Sequence, residues 1–103
     1  MNHFLYKLIP PRPTFDQDMN EAESAIMARH VAYWQELTQR GTSIVFGPVG
    51  DPAGPWGLAV VEAETNEQVQ ALGEADPAIA SGLALFEVCP MPGAIVAHAR
   101  AAA

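Results

Sequence analysis

The chain has 103 residues, half of them hydrophobic, with 12 acidic and 5 basic side chains and a formal charge of −7. That length bounds a single domain with a modest core, and the hydrophobic share excludes disorder for the chain as a whole. The acidic balance repels phosphate backbones and anionic headgroups, which argues against nucleic acid and membrane surfaces as partners.

Residues 3–9 carry aromatic and branched side chains without a breaker and predict a strand, ended by Pro10-Pro11-Arg12-Pro13. Residues 14–20 read as a polar loop in which Asp16 or Asp18 is available as a helix cap. A long amphipathic helix follows over about residues 19–40, stopped by Gly41. Residues 43–49 form a second strand, and the Gly, Pro and Asp content of residues 50–55 marks a turn-rich connection to a third strand over 56–63. Thr65 and Gln68 make a capping box for a helix over 66–75. Asp76-Pro77 opens a further short helical turn that ends at Gly82. Residues 83–89 are a fourth strand, and residues 94–97 read as a short fifth strand or a swapped tail. The domain spans 1–98, and residues 99–103 are expected to fray.

The order is βαββαβ, the split βαβ pattern of ferredoxin-like α+β domains with a four-stranded antiparallel sheet. Helices in this order cover one sheet face. Yet Ile44-Val45-Phe46 and Leu58-Ala59-Val60-Val61 are apolar at adjacent positions, as in strands covered on both faces. The second cover is expected to be the same sheet of another copy, giving a homodimer. Cys89, the one cysteine, permits no intramolecular disulfide, which accords with a cytoplasmic setting. Its neighbours Phe86 and Val88 predict a buried, inert thiol. No signal peptide is read at the N-terminus, and no apolar run approaches the ~20 residues that span a bilayer.

His30 carries the most chemical information. On a helix, Met19, Ile26, Met27, Tyr33, Trp34 and Leu37 fall within about 60° of it, so an imidazole sits on the apolar side. There it must be hydrogen-bonded or border a cavity. Asp76 is the natural partner. As a helix cap its replacement by Ala would cost about 0.5–2 kcal/mol, and by Asn less. As a partner it would fix the tautomer of His30 and stabilise the imidazolium. Trp34 and Phe46 are candidates for an aromatic pocket wall. Gly47-Pro48, at the end of the second strand, would let a ligand approach the backbone.

No Gly-x-Ser-x-Gly places a nucleophile, and His3, His30 and His98 do not form a metal cluster. His30 qualifies only formally as a haem ligand. No metal and no cofactor are therefore expected.

Several of these residues together resemble the YCII-related (YciI-like) family. The resemblance rests on Arg29-His30 with Leu37 and Gly41, on Val45-Phe46-Gly47-Pro48, on Gly57, and on Asp76-Pro77 with Ala80-Ser81-Gly82-Leu83. It implies a dimeric α+β-barrel assembly of ferredoxin-like subunits and an active site on His30 and Asp76. It also implies a lyase, isomerase or dehalogenase-like role on small, often aromatic, compounds. Residues 10–18 depart from that family's commonest pattern and bear on the pocket mouth. The expected function is that of a small cofactor-independent enzyme, with His30 and Asp76 catalytic and Trp34, Phe46, Gly47, Pro48 and Ser81 contacting a small-molecule ligand. The alternative is a dimeric binding or regulatory module without chemistry.

Overall fold

The computed structural model describes residues 1–97. Four strands, β1 (Asn2–Ile9), β2 (Ser43–Val49), β3 (Trp56–Ala63) and β4 (Leu85–Pro90), form one sheet in the order β2-β3-β1-β4. Every neighbouring pair is antiparallel. Helices α1 (Phe15–Asp18), α2 (Glu21–Gln39), α3 (Asn66–Ala75) and α4 (Pro77–Ala80) complete a two-layer ferredoxin-like α+β domain. The expectation for residues 99–103 lies outside the described residues.

Alternation decides which side chains meet the helices. Phe4, Tyr6 and Leu8 on β1, and Ala59, Val61 and Ala63 on β3, are buried beneath them with Trp34, Leu37 and Val69. The residues between them face the other way. That open face carries Leu5, Ile9, Leu58 and Val60, with Val45 50% and Leu85 71% exposed at its two edges. On β2 the register shifts between Ser43 and Val45, a bulge that accounts for the apolar residues Ile44 and Val45 standing side by side at the surface.

Four expectations change. The cap of α2 is Asn20, not Asp16 or Asp18: its side chain accepts from the Glu23 N–H while Glu23 accepts from the Asn20 N–H. Asp18 is engaged instead by the Thr14 hydroxyl and Arg12, and residues 15–18 form the helical turn α1 around buried Phe15. Residues 94–97 form no strand; the chain turns at Pro92 and Gly93 after Met91 has donated its N–H to the His3 carbonyl. Cys89 is exposed, because Val88 turns inward against the core and the next side chain must point to the open face.

Gly73 lies in the last turn of α3, still within the helix, where glycine weakens it. A Cβ there would stand 2.4 Å from Cε2 of Phe86, so the bare backbone lets α3 seat on that ring. Helix propensity alone favours Gly73→Ala by about 0.5–1 kcal/mol. Packing reverses the sign, and we expect Gly73→Ala to lose about 1–3 kcal/mol in urea denaturation. A stabilised variant would show that α3 can lift off Phe86.

Candidate active site

The centre of the site is a carboxylate with no access to water. Asp76 ends α3 with extended backbone and caps α4, and its side chain is 0% exposed. Four donors converge on it. His30 Nδ1 lies 2.9 Å from Oδ1 and 2.8 Å from Oδ2. The Tyr6 hydroxyl and the Trp34 indole N–H each donate to Oδ2 at 2.8 Å, and the Ala78 N–H donates to Oδ1 at 2.9 Å. Proline at the first position of α4 leaves that next amide to serve the carboxylate. The donors come from three elements, Tyr6 from β1, His30 and Trp34 from α2 and Ala78 from α4, so the tie holds β1, α2 and α4 at one point.

Burial alone would raise the Asp76 pKa. The hydrogen bonds from His30 and Trp34, the positive charge available at His30 and the Ala78 N–H outweigh it and hold the carboxyl below its ordinary value. Burial, followed by the charge of Asp76 and its hydrogen bond, pushes the Tyr6 hydroxyl well above its ordinary range, so it stays a donor. Tyr33 is raised by burial and by Asp76 and donates to the Leu72 carbonyl at 2.6 Å.

An acceptor-only carboxylate determines the state of the imidazole. Nδ1 must carry a proton to donate to it, which leaves Nε2 as the free nitrogen. Nε2 makes no hydrogen bond to the described residues, and no buried side-chain polar atom among them lacks a partner. His30 also lines a cavity of about 680 Å³, within the size range of small-molecule sites. Phe46 meets the imidazole edge-on at 5.4 Å and itself stacks on Trp34 at 5.9 Å, so the ring that packs against His30 is backed by the buried indole.

Of the expected ligand-contacting residues, Phe46, Gly47 and Pro48 line this cavity with His30. Trp34 lies behind it: the indole is fully buried and holds Asp76. Ser81 lies at the end of α4, exposed, with its hydroxyl donating to the Ala78 carbonyl. Neither borders the cavity. The opposite wall comes from Pro10, in the proline run that ends the first strand, and from Phe15, Asp16 and Met19, in the stretch read from sequence as a polar loop, and Gln35 and Thr38 flank the opening from α2. Tyr6 is the site residue the sequence reading missed. Its signal was a phenol on an apolar strand, whose hydroxyl needs a partner once buried. Among the described residues, no group of three His, Cys, Asp or Glu side chains is placed to hold a metal ion, and no helix is long and apolar enough to cross a membrane.

A ferredoxin-like sheet whose long helix α2 presents a histidine to a buried aspartate defines the class of the protein. The YCII-related domain matches residues 7–92, and the chain belongs to that family. Its structure is similar to that of the 5-chloro-2-hydroxyhydroquinone dehydrochlorinase TftG from Burkholderia phenoliruptrix AC1100, determined in complex with 2,5-dihydroxybenzoquinone. The TM-score is 0.61 at 22% sequence identity, covering 84% of this chain and 89% of that one. At that identity the likeness establishes the shared fold. No curated protein sequence matches the chain.

Four donors left without an anion make Asp76 more than a cap. Asp76→Ala and Asp76→Asn should both lose about 3–5 kcal/mol in urea unfolding at neutral pH, well beyond the loss of a cap. The depressed pKa fixes the pH dependence. The stabilisation is complete above the unfolded carboxyl value of about 3.9 and is lost as pH falls through the lower folded value. The gap between wild type and Asp76→Asn should therefore close only in acid. A loss near 1 kcal/mol, smaller for Asn than for Ala, would return Asp76 to the role of a cap.

Proposed function

We propose that the protein is a small enzyme of the lyase, isomerase or dehalogenase-like kind, working without a cofactor on a small organic ring, with His30 as the acid/base and Asp76 as its orienting partner. One observation carries this reading: Nδ1 is tied to a buried carboxylate while the ring borders an apolar cavity. A purely structural pair has no need of an open side.

The chemistry follows from that geometry. Nε2 takes a proton from a substrate carbon or hydroxyl, and the imidazolium so formed is stabilised by Asp76 at 2.8 Å. In an isomerisation, the same nitrogen returns the proton at a second position. In an elimination, the electron pair freed by deprotonation forms the new double bond, and the leaving group departs with the pair of its own bond. The proton on His30 is then released to water. Apolar walls exclude water and hold the ring against the base, which supplies part of the rate. Support for a ring substrate comes from the aromatic lining at Phe15, Phe46 and Trp56, and from the dihydroxybenzoquinone named with the structural neighbour. Phe46, Gly47 and Pro48 would contact the substrate; Trp34 would act through Asp76.

The rival reading is a binding module in which the pair only holds the fold. The completeness of the hydrogen bonding around Asp76 favours it. His30→Gln separates the two. After a screen of small aromatic and lactone compounds has found a substrate, His30→Gln should remain folded, bind it, and lose turnover by roughly 10²–10⁴-fold, the usual worth of acid/base catalysis. Unchanged turnover in the variant would remove His30 from the chemistry.

The assembly we propose is a homodimer with the open sheet faces packed together. Leu5, Ile9, Val45, Leu58, Val60 and Leu85 put an apolar side chain on that face from every strand, and the charged or chargeable residues that share it lie opposite one another, His3 with Glu62 and Lys7 next to Glu87. Light scattering at micromolar concentration should give a dimer, with an interface burying well over ~1,000 Å² in total. A monomer under those conditions would refute the assembly.

A further inference from the structure

We infer that the cavity beside His30 selects uncharged ring compounds over carboxylates of the same shape, and that Asp16, on the arginine-clamped segment 10–18, sharpens that selection. The inference rests on the reading of this cavity as the substrate site.

The charge around the cavity is one-sided. Among the described residues, neither Lys nor Arg lines it, and its charged or chargeable groups are Asp16 and His30. His30 cannot serve as a free cation, because its Nδ1 is bonded to Asp76. Protonated, the pair sums to zero. Neutral at the imidazole, it sums to minus one. In either state, Asp16 adds a further negative charge. A carboxylate entering such a site leaves water without gaining a cation, which is the costly way to bury an ion. An amide, carbonyl or hydroxyl is under no such penalty. Its polar atom meets Nε2 of His30 or the side chains of Gln35, Gln39 and Thr38 at the opening, while the ring meets Leu8, Phe15 and Phe46.

Asp16 is held at its post. The cation nearest to it in sequence, Arg12, is fully engaged elsewhere: Nε donates to Asp18 Oδ1 at 2.7 Å, and its two terminal nitrogens reach Glu23 at 2.9 and 2.8 Å. A further bond runs from Arg12 to the Asp18 carbonyl, and the Thr14 hydroxyl closes the loop onto Asp18 at 2.6 Å. Phe15, only 4% exposed, plugs the segment into the core beside Asp16. The segment is thus a fixed wall, and Lys7, the other cation near this end of the sheet, lies over the Trp56 ring at 4.8 Å.

Matched neutral and anionic rings test the inference by titration calorimetry at low ionic strength: benzamide against benzoate, naphthamide against naphthoate, and indole carboxamide against indole carboxylate. In the pair that binds best, the amide should bind at least about tenfold more tightly than the carboxylate. Asp16→Lys, at an exposed position, should narrow that ratio several-fold, and added salt should weaken the effect of the substitution. A carboxylate that binds wild type as tightly as its amide overturns the inference and leaves the ring pocket standing. A ratio untouched by Asp16→Lys overturns the role of Asp16. If none of the six compounds binds, the ring-pocket reading fails, and the inference with it.

Discussion

The fold and the site share one anion. Asp76 sits where two helices meet, out of reach of water, and is kept charged by donors from a strand, a long helix and the amide of its own short helix. An unpaired carboxylate in that position would cost more than the domain could offset. Removing any one donor leaves the others to carry a buried charge. The tie therefore couples three elements far apart in sequence, and it does so at the back wall of a cavity.

The same coupling explains how the imidazole acquires a defined chemical state. Burial and the edge of Phe46 hold the ring, the carboxylate fixes its tautomer, and the ring borders the cavity. Tyr6 and Trp34 act at one remove, by completing the shell of the carboxylate that orients the imidazole. The orientation of the imidazole and the integrity of the fold are thus one set of hydrogen bonds.

Much of this was legible in the sequence. Runs of branched and aromatic residues between Pro and Gly breakers located the four strands, and the 3.6-residue period put His30 on the buried side of α2 with Trp34 and Leu37. Thr65 and Gln68 capped α3 as their spacing predicts. Asp76-Pro77 announced both a helix start and an anion. Less legible were the choices among equivalent polar tips. Asn20, Asp16 and Asp18 are all competent caps, and only the fold of Phe15 and Arg12 around them decides that Asn20 serves. Nothing local to Trp34 says that its indole N–H faces Asp76 rather than a ligand, since their contact closes a loop of 42 residues. Ser81 lies close to Asp76 in sequence but on the outer side of the turn. Cys89 shows the one-residue sensitivity of strands: the same apolar run packs Val88 against the core and exposes its neighbour.

The edges of the sheet bear on how copies of this chain can meet. A flat, unprotected edge strand invites another strand to add to it, and such growth has no natural end. Here β2 is an outer strand, bulged at Ser43 and Val45 and carrying Pro48, which has no N–H to offer a newcomer. At the other margin, β4 finishes on Pro90. Both rims are poor templates, while the broad face between them carries Leu5, Ile9, Leu58 and Val60. Open-ended ribbons of copies added edge to edge are thereby disfavoured, a safeguard against fibrous aggregation written into two prolines and one extra residue.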